Sequence, residues 1–327
     1  MLFQLVPVAD LLRVLQRATP GPMVLVLGAS LAALYTRALR WQVLFQPEHR
    51  VALGPAFGTL AISYMASTFL PFRAGELVRA VFLSRREQIP IARVVGTILI
   101  EKLFDFLALA VLLAWLVAST PLPREAAIAG ASVASVIVLG FGFVVALALW
   151  REPTLRMVGR LEGFLPAGLR RRVSPRHAVE QFAGGTDSLR VGRLWLQLLL
   201  WTVVTWAASI VGMIAGLEAI DARASFAAAI FTIVATSVSQ AVPSSPGYVG
   251  VFHAAAVAAL TFFGIDTATA FGAAVLIHAL NYGFMVVLGL IALWVGGYAL
   301  GDVMGARRAM QQPPANPRPA PAETSVR

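Results

Sequence analysis

Five apolar runs in the chain are each long enough to cross a lipid bilayer as a helix. A helix rises about 1.5 Å per residue, so roughly 20 apolar residues cover about 30 Å of hydrocarbon. No series of short alternating segments, the mark of a membrane β-barrel, competes with these runs. The sequence therefore predicts an all-α integral membrane protein, a polytopic helical bundle. The predicted spans are 23–45, 91–117, 126–150, 194–217 and 267–300.

The composition fits this prediction and argues against other classes of protein. The chain is 58% hydrophobic and 13% charged, outside the usual range of soluble domains. Its net charge of +10 would suit nucleic acid, but the arginines lie between apolar runs, where the positive-inside bias places them. The chain has no cysteine, and its histidines lack metal-ligand spacing. We therefore expect no nucleic-acid partner, no metal, no cofactor and, without a recognisable catalytic motif, no enzymatic activity.

Two further apolar runs, rich in small residues, are too short to span a bilayer comfortably. The most basic loop, 151–193, marks the cytoplasmic side, and Arg37 and Arg40 are read as charges that close the first span. The membrane crossings then balance only if segments 55–88 and 224–263 each enter and leave on one face. These segments are predicted to form two opposed re-entrant hairpins.

The two hairpins share a Pro-x-x-x-Gly spacing, at Pro71 and Gly75 in the first and at Pro243 and Gly247 in the second. Proline and glycine punctuate many loops, so the spacing alone is weak evidence. The order of span, hairpin and span nevertheless occurs twice, with opposite orientation. The sequence therefore predicts an inverted repeat, which secondary transporters use for alternating access.

The chain reads as a single transmembrane domain, 23–300, with a short segment at each end. Residues 1–22 are interpreted as a truncated first helix or as an amphipathic segment that leads into the domain. Residues 301–327 are rich in proline and alanine and are predicted to be a disordered cytoplasmic tail. We expect a multi-pass protein of the cell membrane with its C-terminus in the cytoplasm.

Three charged residues follow the first Leu-Pro break at a spacing of three. Arg73, Glu76 and Arg79 would share one face of a helix that starts at this break. The arginines and the free N–H groups of the helix start would suit a phosphate group. The alternative is an amphipathic interfacial helix whose charged face is solvated and whose arginines snorkel.

A second charged group interrupts the run 91–117. Glu101, Lys102 and Asp105 lie where charges in a membrane helix are costly, so they are expected to face a cavity or a partner. We expect Glu101 and Asp105 to pair with Arg73 or Arg79, with Lys102 beside the same cavity. The alternative is a helix that begins late, near residue 103, and leaves these charges at the interface.

The stretch "PSSPGYVG", residues 243–250, predicts a turn with a non-helical backbone. At membrane depth such backbone is tolerated only where it lines a cavity, and its N–H groups are able to bind an anion. The alternative is an ordinary external loop. The candidate substrate-binding residues in this turn are Ser244, Ser245, Gly247 and Tyr248. The residues predicted to form structural turns in the two hairpins are Pro71, Gly75, Pro243, Pro246 and Gly250.

Four segments, "RALRWQVLF", "FLPFRAGELVRAVFL", "ILIEKLFDFLAL" and "PSSPGYVGVFHAAAVAAL", occur in this order along the chain. Together they resemble the membrane region of lysylphosphatidylglycerol synthases and of the flippase-like proteins that carry this region alone. The resemblance covers residues 10–300. Its most specific pattern, Pro-x-Arg-x-Gly-Glu-x-x-Arg, maps onto Pro71, Arg73, Gly75, Glu76 and Arg79.

The chain departs from the family pattern at two charged positions. Lys102 stands where relatives usually have arginine, which keeps the charge and loses the bidentate geometry of a guanidinium. His253 stands where relatives often have glutamate, which puts proton or cation coupling through this position in doubt. Relatives also usually have one more helix before the stretch "VADLLRVLQRATPGP", so Met1 is interpreted as a late start.

The resemblance implies movement of a lipid or lipid-linked substrate between leaflets: a phospholipid, a polyprenyl-phosphate-linked sugar or a hopanoid. The leading hypothesis is therefore a flippase whose partner is a membrane lipid. The alternative hypothesis is a non-transporting scaffold that recruits or regulates a lipid-modifying enzyme or a glycosyltransferase through the loop 151–193. A homo-oligomer is compatible with both hypotheses.

Overall fold

A computed structural model describes residues 8–70, 74–121, 124–150, 187–241, 245–303 and 305. The prediction of an all-helical chain is confirmed, and the described ranges contain no strand. The helices are α1 (Val8–Gln16), α2 (Pro20–Phe45), α3 (Leu53–Phe69), α4 (Ala74–Glu87), α5 (Ile91–Ser119), α6 (Arg124–Leu149), α7 (Gly192–Glu218), α8 (Phe226–Ala241), α9 (Val251–Phe262) and α10 (Thr267–Gly296), with short 3-10 helices at Asp187–Arg190 and Pro246–Tyr248.

Several predicted features lie outside the described residues. These are Pro71 and Arg73 in the first hairpin, Pro243 and Ser244 in the second, residues 151–186 of the basic loop, and the terminal segments 1–7 and 306–327. Within the predicted last span, 267–300, the helix ends at Gly296, because Gly297 adopts a left-handed conformation with φ of 69°.

Three helices are apolar and long enough to cross a membrane, namely α2, α7 and α10. Shorter apolar helical stretches are Gly130–Ala146, Phe226–Gln240 and Pro246–Phe262. Helix α5 is longer than most of these, but Glu101, Lys102 and Asp105 lie within it. Its polar residues therefore need partners inside the bundle.

The centre of the bundle is formed by helices that approach closely at small residues. Helix α2 packs along α7, and α3 packs along α10. A Cβ on Gly289 of α10 would lie 2.3 Å from the Cβ of Met65 in α3, so only glycine permits this spacing. Gly216 of α7 contacts Ile277 of α10 in the same way. Small residues at such contacts are typical of membrane helix bundles, where packing rather than hydrophobic burial drives association.

Polar contacts identify which helix ends lie together. Arg93, at the start of α5, donates to Asp187 at 2.8 Å, directly before α7, and also pairs with Glu48 in the loop between α2 and α3. Burial alone would raise the pKa of Glu48, but the hydrogen bond and charge of Arg93 lower it. Three connections therefore meet at one end of the bundle, which we call the Arg93 end.

The opposite end is fixed by a different set of contacts. The N–H of Thr19, before α2, donates to the carbonyl oxygen of Ala219, after α7, at 2.8 Å. The ring of Trp115 in α5 packs edge-on against Phe226 at the start of α8, with ring centroids 5.4 Å apart. Asp266 caps α10 there by accepting from the N–H of Thr269 at 2.9 Å. We call this the Thr19 end.

Two antiparallel helix pairs connect these elements. Helices α3 and α4 pack together, with the start of α3 and the end of α4 at the Arg93 end. Helices α8 and α9 also pack together, with the start of α8 and the end of α9 at the Thr19 end. Their tips meet, because a Cβ on Gly247 would lie 3.3 Å from the carbonyl oxygen of Thr68. The regions predicted as hairpins are thus two helix pairs that point at each other.

Gly75 fixes the spacing of the first helix pair. A Cβ at this position would lie 2.1 Å from the carbonyl oxygen of Ser63 and 2.3 Å from the hydroxyl oxygen of Ser67. Both distances are far below van der Waals contact, so any side chain would force α3 and α4 apart. The glycine predicted from the sequence as a turn residue is therefore a helix-contact residue in the first turn of α4.

We expect Gly75→Ala to lower the free energy of unfolding of the detergent-solubilised protein by about 1–3 kcal/mol, the usual cost of overpacking, and thereby to lower its thermal unfolding midpoint. Gly58→Ala is the matched control, because its Cβ would make only an ordinary 4.0 Å contact with Ala292. The measurement is the midpoint of intrinsic tryptophan fluorescence on heating. Equal midpoints for the two variants would show that α3 and α4 are not held at this distance.

Candidate functional site

Helix α5 carries three charges into the interior of the bundle. The helix begins at Ile91, so the alternative in which it starts near residue 103 is wrong. The side chain of Glu101 is completely buried, whereas those of Lys102 and Asp105 keep partial access at 21% and 14%. An isolated buried carboxylate is very costly, so Glu101 requires cationic partners.

Arg79 of α4 is one of these partners. Its Nη1 donates to Glu101 Oε2 at 2.8 Å, which confirms the predicted pairing of Glu101 with Arg79. The guanidinium carbon lies 4.8 Å from the centroid of the Trp41 ring, within cation–π distance. The indole N–H of Trp41 donates in turn to Thr97. Since Arg79 is only 2% exposed, it is not part of a solvated charged face, and the alternative of an interfacial amphipathic helix is wrong for this residue.

Asp105 pairs with arginines that sequence reasoning assigned to the end of the first span. It accepts from Arg37 at 3.1 Å and from Arg40 at 2.8 Å, so the predicted pairing of Asp105 with Arg73 or Arg79 is wrong for the described Arg79. Arg40 is fully buried, lies 3.7 Å from Glu101 and also donates to Thr202 of α7 at 3.1 Å. The signal in the sequence is that Arg40 lies three residues after Arg37 within an apolar helix. As in α5, charges in such a helix are costly and are expected to face a partner or a cavity.

A separate pair joins α4 to α5 beside these groups. Lys102 Nζ lies 2.7 Å from Glu76 Oε1, and both side chains are partly accessible, at 21% and 26%. Together the seven groups of this ion cluster are four cations and three carboxylates, a formal excess of one positive charge. The members of the ion cluster are Arg37, Arg40, Glu76, Arg79, Glu101, Lys102 and Asp105.

A cavity of about 330 Å³ opens where the tips of the two helix pairs meet. Side chains of α2, α3, α4, α5, α7, α8, α9 and α10 and of the turn before α9 line it. Its charged lining comes from Arg37, Glu76, Arg79, Lys102 and Asp105, all within the first half of the chain. This volume lies at the lower end of the range for small-molecule sites, the size of a polar headgroup rather than of a whole lipid.

The second turn has the predicted non-helical backbone. Positive φ values occur at Gly247, Tyr248 and Gly250, and that of Tyr248 is rare for a residue with a side chain. Two of its N–H groups are used internally, because Tyr248 donates to the Ser245 carbonyl oxygen and Gly250 donates to His253 Nδ1. These two groups are thus not available to an anion, contrary to the expectation for this turn.

An aromatic and amide network connects this turn to α8 and α10. His278 contacts the carbonyl oxygen of Gly247 at 2.8 Å and stacks on Tyr282, with ring centroids 4.1 Å apart. The Tyr282 hydroxyl donates to Gln240 Oε1 at 2.8 Å. The turn is packed against α3 and α10 and is not an ordinary external loop. Tyr248, Gln240 and Tyr282 face the cavity.

The structure thus brings together part of the predicted site and adds to it. Glu76, Arg79, Lys102, Asp105 and Tyr248 line the cavity. Glu101 lies behind them as their counter-charge, and the Ser245 hydroxyl donates to the carbonyl oxygen of Val249 inside the turn. The lining residues that sequence reasoning did not select include Ser30, Arg37, Tyr64, Gln240, Asn281 and Tyr282.

Among the described residues no group of three or more histidine or acidic side chains has a metal-binding arrangement. The expectations of no metal and no cofactor remain predictions. Each carboxylate of the ion cluster is paired with at least one arginine or lysine, although the buried Glu101 Oε1 has only the 3.7 Å ion pair with Arg40 and no hydrogen bond within the described part of the chain.

Comparison with known proteins identifies the family. Residues 1–289 match the family described as "Lysylphosphatidylglycerol synthase TM region". The chain belongs to this family. The resemblance read from the four sequence segments is therefore confirmed, and with its apolar helices the chain is a multi-pass, lipid-related membrane protein.

The chain is also similar to "Glycosyltransferase AglD" of Haloferax volcanii. The two are 26% identical over 313 residues, an alignment that covers 83% of this chain and 50% of that protein. The chain thus spans about half the length of this curated relative. No solved structure matches the chain.

We expect Glu101→Gln to destabilise the folded protein by about 3–5 kcal/mol, because it leaves the buried Arg79 and Arg40 without their shared carboxylate. Glu76→Gln, which removes a partly accessible carboxylate, is the matched control and is expected to cost at most about 1 kcal/mol. Thermal or denaturant unfolding in detergent measures both changes.

A double variant checks the same interaction. Arg79→Gln in the Glu101→Gln background is expected to restore part of the lost stability, since it removes the unpaired charge. If the loss of stability in the double variant equals the sum of the losses in Glu101→Gln and Arg79→Gln, the Arg79–Glu101 pair contributes no coupling energy.

Proposed function

We propose that the protein moves a phosphate-bearing lipid, or a lipid-linked substrate, between the leaflets of the membrane. The observation that carries the proposal is the cavity between the two helix tips, because Arg37 and Lys102 reach it from apolar helices and keep partial access. Arginine and lysine bind phosphate through charge-assisted hydrogen bonds. Ionisable residues within membrane helices commonly mark a substrate path. The family description supports a lipid-related role.

The proposal includes an inverted repeat. Helix α2, the pair α3–α4 and α5 follow one another in the same order as α7, the pair α8–α9 and α10. Their packing supports it, because α3 contacts α10 as α8 contacts α5, and α2 contacts α5 as α7 contacts α10. Related halves of opposite orientation around a central site are the arrangement used for alternating access.

The two helix pairs are proposed to be re-entrant hairpins. Helix α8 has 16 residues, which corresponds to about 24 Å and falls short of about 30 Å of hydrocarbon. Its return through α9 brings the chain back to the Thr19 end. The same reasoning applies to α3 and α4 at the Arg93 end.

In the proposed mechanism the phosphate binds to Arg37 and Lys102, with Arg79 behind them. Asp105 and Glu76 hold the two accessible cations in place, and the buried Glu101 orients Arg79. The cavity accommodates the headgroup while the chains stay in the bilayer. Arg73 lies outside the described residues, and its role as a second phosphate ligand stays a prediction from the sequence.

We further propose that the Arg93 end faces the cytoplasm. Asp187, in the last part of the basic loop 151–193, pairs with Arg93 at this end. The positive-inside bias places such a loop in the cytoplasm. Helix α10 also ends there, because Gly58 near the start of α3 approaches Ala292, and Tyr298 packs on Phe82. The C-terminal segment then starts in the cytoplasm, and the membrane is the cell membrane.

The scaffold hypothesis stays as a second candidate. The observation in its favour is that the chain spans half of a relative named as a glycosyltransferase, so the other half of that protein has no counterpart in this alignment. A separate glycosyltransferase or lipid-modifying enzyme is a reasonable partner for a chain that is itself proposed to be no enzyme. In this case the basic loop would be the recruiting surface.

Single cysteines in the naturally cysteine-free chain test the topology. Gln88→Cys is expected to react with a membrane-impermeant maleimide from one side, and Arg223→Cys and Thr267→Cys from the other, because α8 and α9 return to the face they left. Ser245→Cys, at the tip, is expected to resist a large polyethylene-glycol maleimide from both sides. Reaction of Ser245→Cys with the large reagent from the Gln88 side would show that α8 and α9 cross fully.

Leaflet movement tests the function. Labelled phospholipid and polyprenyl-phosphate probes are followed in proteoliposomes, and the wild type is expected to move at least one probe faster than protein-free vesicles. Arg37→Gln and Lys102→Gln should each lower the rate about tenfold, because a hydrogen bond to a charged group contributes about 1.5–3 kcal/mol and each 1.4 kcal/mol is tenfold. In the Arg37→Gln variant Asp105 still pairs with Arg40, so we expect the fold to persist.

The matched control is Arg86→Gln in α4, since Arg86 is 42% exposed and does not line the cavity. Unchanged movement in the Arg37→Gln and Lys102→Gln variants would remove the proposed headgroup site. If no probe moves, and charge changes in the loop 151–193 abolish the function in cells instead, the scaffold hypothesis replaces the transport hypothesis.

A further inference from the structure

The cavity has two chemically different poles. All the charged residues that line it lie on α2, α4 and α5, whereas α7, α8, α9 and α10 contribute only uncharged side chains. We call the first set, with Arg37, Lys102 and Asp105, the charged pole. The neutral pole consists of Trp206, Gln240, Asn281 and Tyr282 from the second set, together with the uncharged Ser30 of α2, which contacts Asn281.

The distance between the neutral pole and the charged pole is about the length of a lipid headgroup. Ser30 and Arg37 are seven residues apart on α2, which corresponds to about 10 Å along the helix. The Ser30 hydroxyl donates to Asn281 Oδ1 and thereby joins α2 to α10 at this depth. A phosphate at Arg37 would therefore have Ser30 and Asn281 within reach of its substituent.

The amides of the neutral pole are held in fixed orientations. Gln240 Nε2 donates to the carbonyl oxygen of Thr236 at 3.0 Å, and Asn281 Nδ2 donates to that of Ile277 at 3.0 Å. Their amide oxygens accept from Tyr282 and Ser30. An amide nitrogen carries two hydrogens, so each group has one further donor beyond the bond to its own helix.

Trp206 supplies a further donor. The residue lines the cavity, is only 8% exposed, and its buried Nε1–H has no acceptor among the described residues. Buried donors in proteins are nearly always paired, and an unpaired one requires an explanation. An oxygen atom of a bound headgroup would supply the acceptor.

We propose that the neutral pole binds a neutral, hydroxyl-rich group attached to the lipid phosphate, and that it discriminates against a headgroup that carries an ammonium group. This inference rests on the proposed function of the same cavity. Hydroxyl groups both accept and donate, so they match the indole N–H, the amides and the tyrosine and serine hydroxyls. Glycerol and a sugar are two sources of this chemistry.

The exclusion of an ammonium follows from the charges. The carboxylates that line the cavity, Glu76 and Asp105, lie at the charged pole and are already paired with Lys102, Arg37 and Arg40. An ammonium group at the neutral pole would therefore leave water without a carboxylate beside it, which is unfavourable in a membrane interior.

Equilibrium binding of short-chain lipids to the full-length protein in nanodiscs tests the inference. The probes are phosphatidic acid, phosphatidylglycerol, lysyl-phosphatidylglycerol, and a phosphopolyprenol with and without one hexose. We expect the glycerol or the hexose to strengthen binding about tenfold over phosphate alone, and the lysyl ester to remove this gain. The glycerol and hexose pairs show which source of hydroxyl groups the site prefers.

Trp206→Phe removes the indole N–H and should weaken binding of the preferred hydroxyl-bearing lipid about fivefold, the effect of one hydrogen bond, with little change for phosphatidic acid. Trp201→Phe is the matched control, because Trp201 lies on the same helix and packs against a different cluster, away from the cavity. Unfolding midpoints are compared first, and the lipid series on the wild type does not depend on either variant.

Two results overturn the inference in distinguishable ways. If all phosphate lipids bind equally, or if lysyl-phosphatidylglycerol binds best, the neutral pole is not a hydroxyl subsite, while the proposed transport function stands. If none of the phosphate lipids binds the wild type, the proposed function fails and the subsite fails with it.

Discussion

The cost of placing charges among apolar helices is the constraint on which this structure depends. Glu101, Arg40 and Arg79 have almost no contact with solvent, so each is stable only beside the others. The ion cluster therefore ties α2, α4 and α5 together at a fixed depth. Replacing such a cluster by apolar side chains would be easier for folding alone, so its presence agrees with a role in binding.

The members of the ion cluster differ in their access to solvent, and this difference separates structural residues from those that face the cavity. The buried members, Arg40, Arg79 and Glu101, form a frame, and the partly accessible Arg37, Lys102, Asp105 and Glu76 face the cavity. A phosphate that approaches the cavity would meet cations already oriented by carboxylates, so little side-chain entropy is lost on binding. This preorganisation is what the proposed headgroup site requires.

The contact between the two helix tips gives the cavity its position. Gly247 lies against Thr68, and Gly75 and Gly289 let α3 approach α4 and α10 more closely than any side chain would allow. Opening the cavity to either side would have to move one helix pair relative to the other. The close contact at Gly75 favours movement of α3 and α4 as one unit, which is the kind of motion that the proposed transport requires.

The sequence by itself determined the helical class, five long helices, two helix pairs and the family. It did so because a bilayer requires long apolar helices and leaves charges inside them conspicuous. It also predicted that Glu101 pairs with Arg73 or Arg79, and the structure shows the pair with Arg79. Local patterns were sufficient here, since each feature lies within one segment of the chain.

Only the tertiary structure decided which distant residues share the cavity. From the sequence alone, Arg37 and Arg40 are interpreted as the closing charges of a span, and Gln240, Asn281 and Trp206 are not among the predicted site residues. Their roles depend on which helix face meets which neighbour, and small-residue contacts far apart in the chain set these faces. Spacing along one helix carries no information about the face of another.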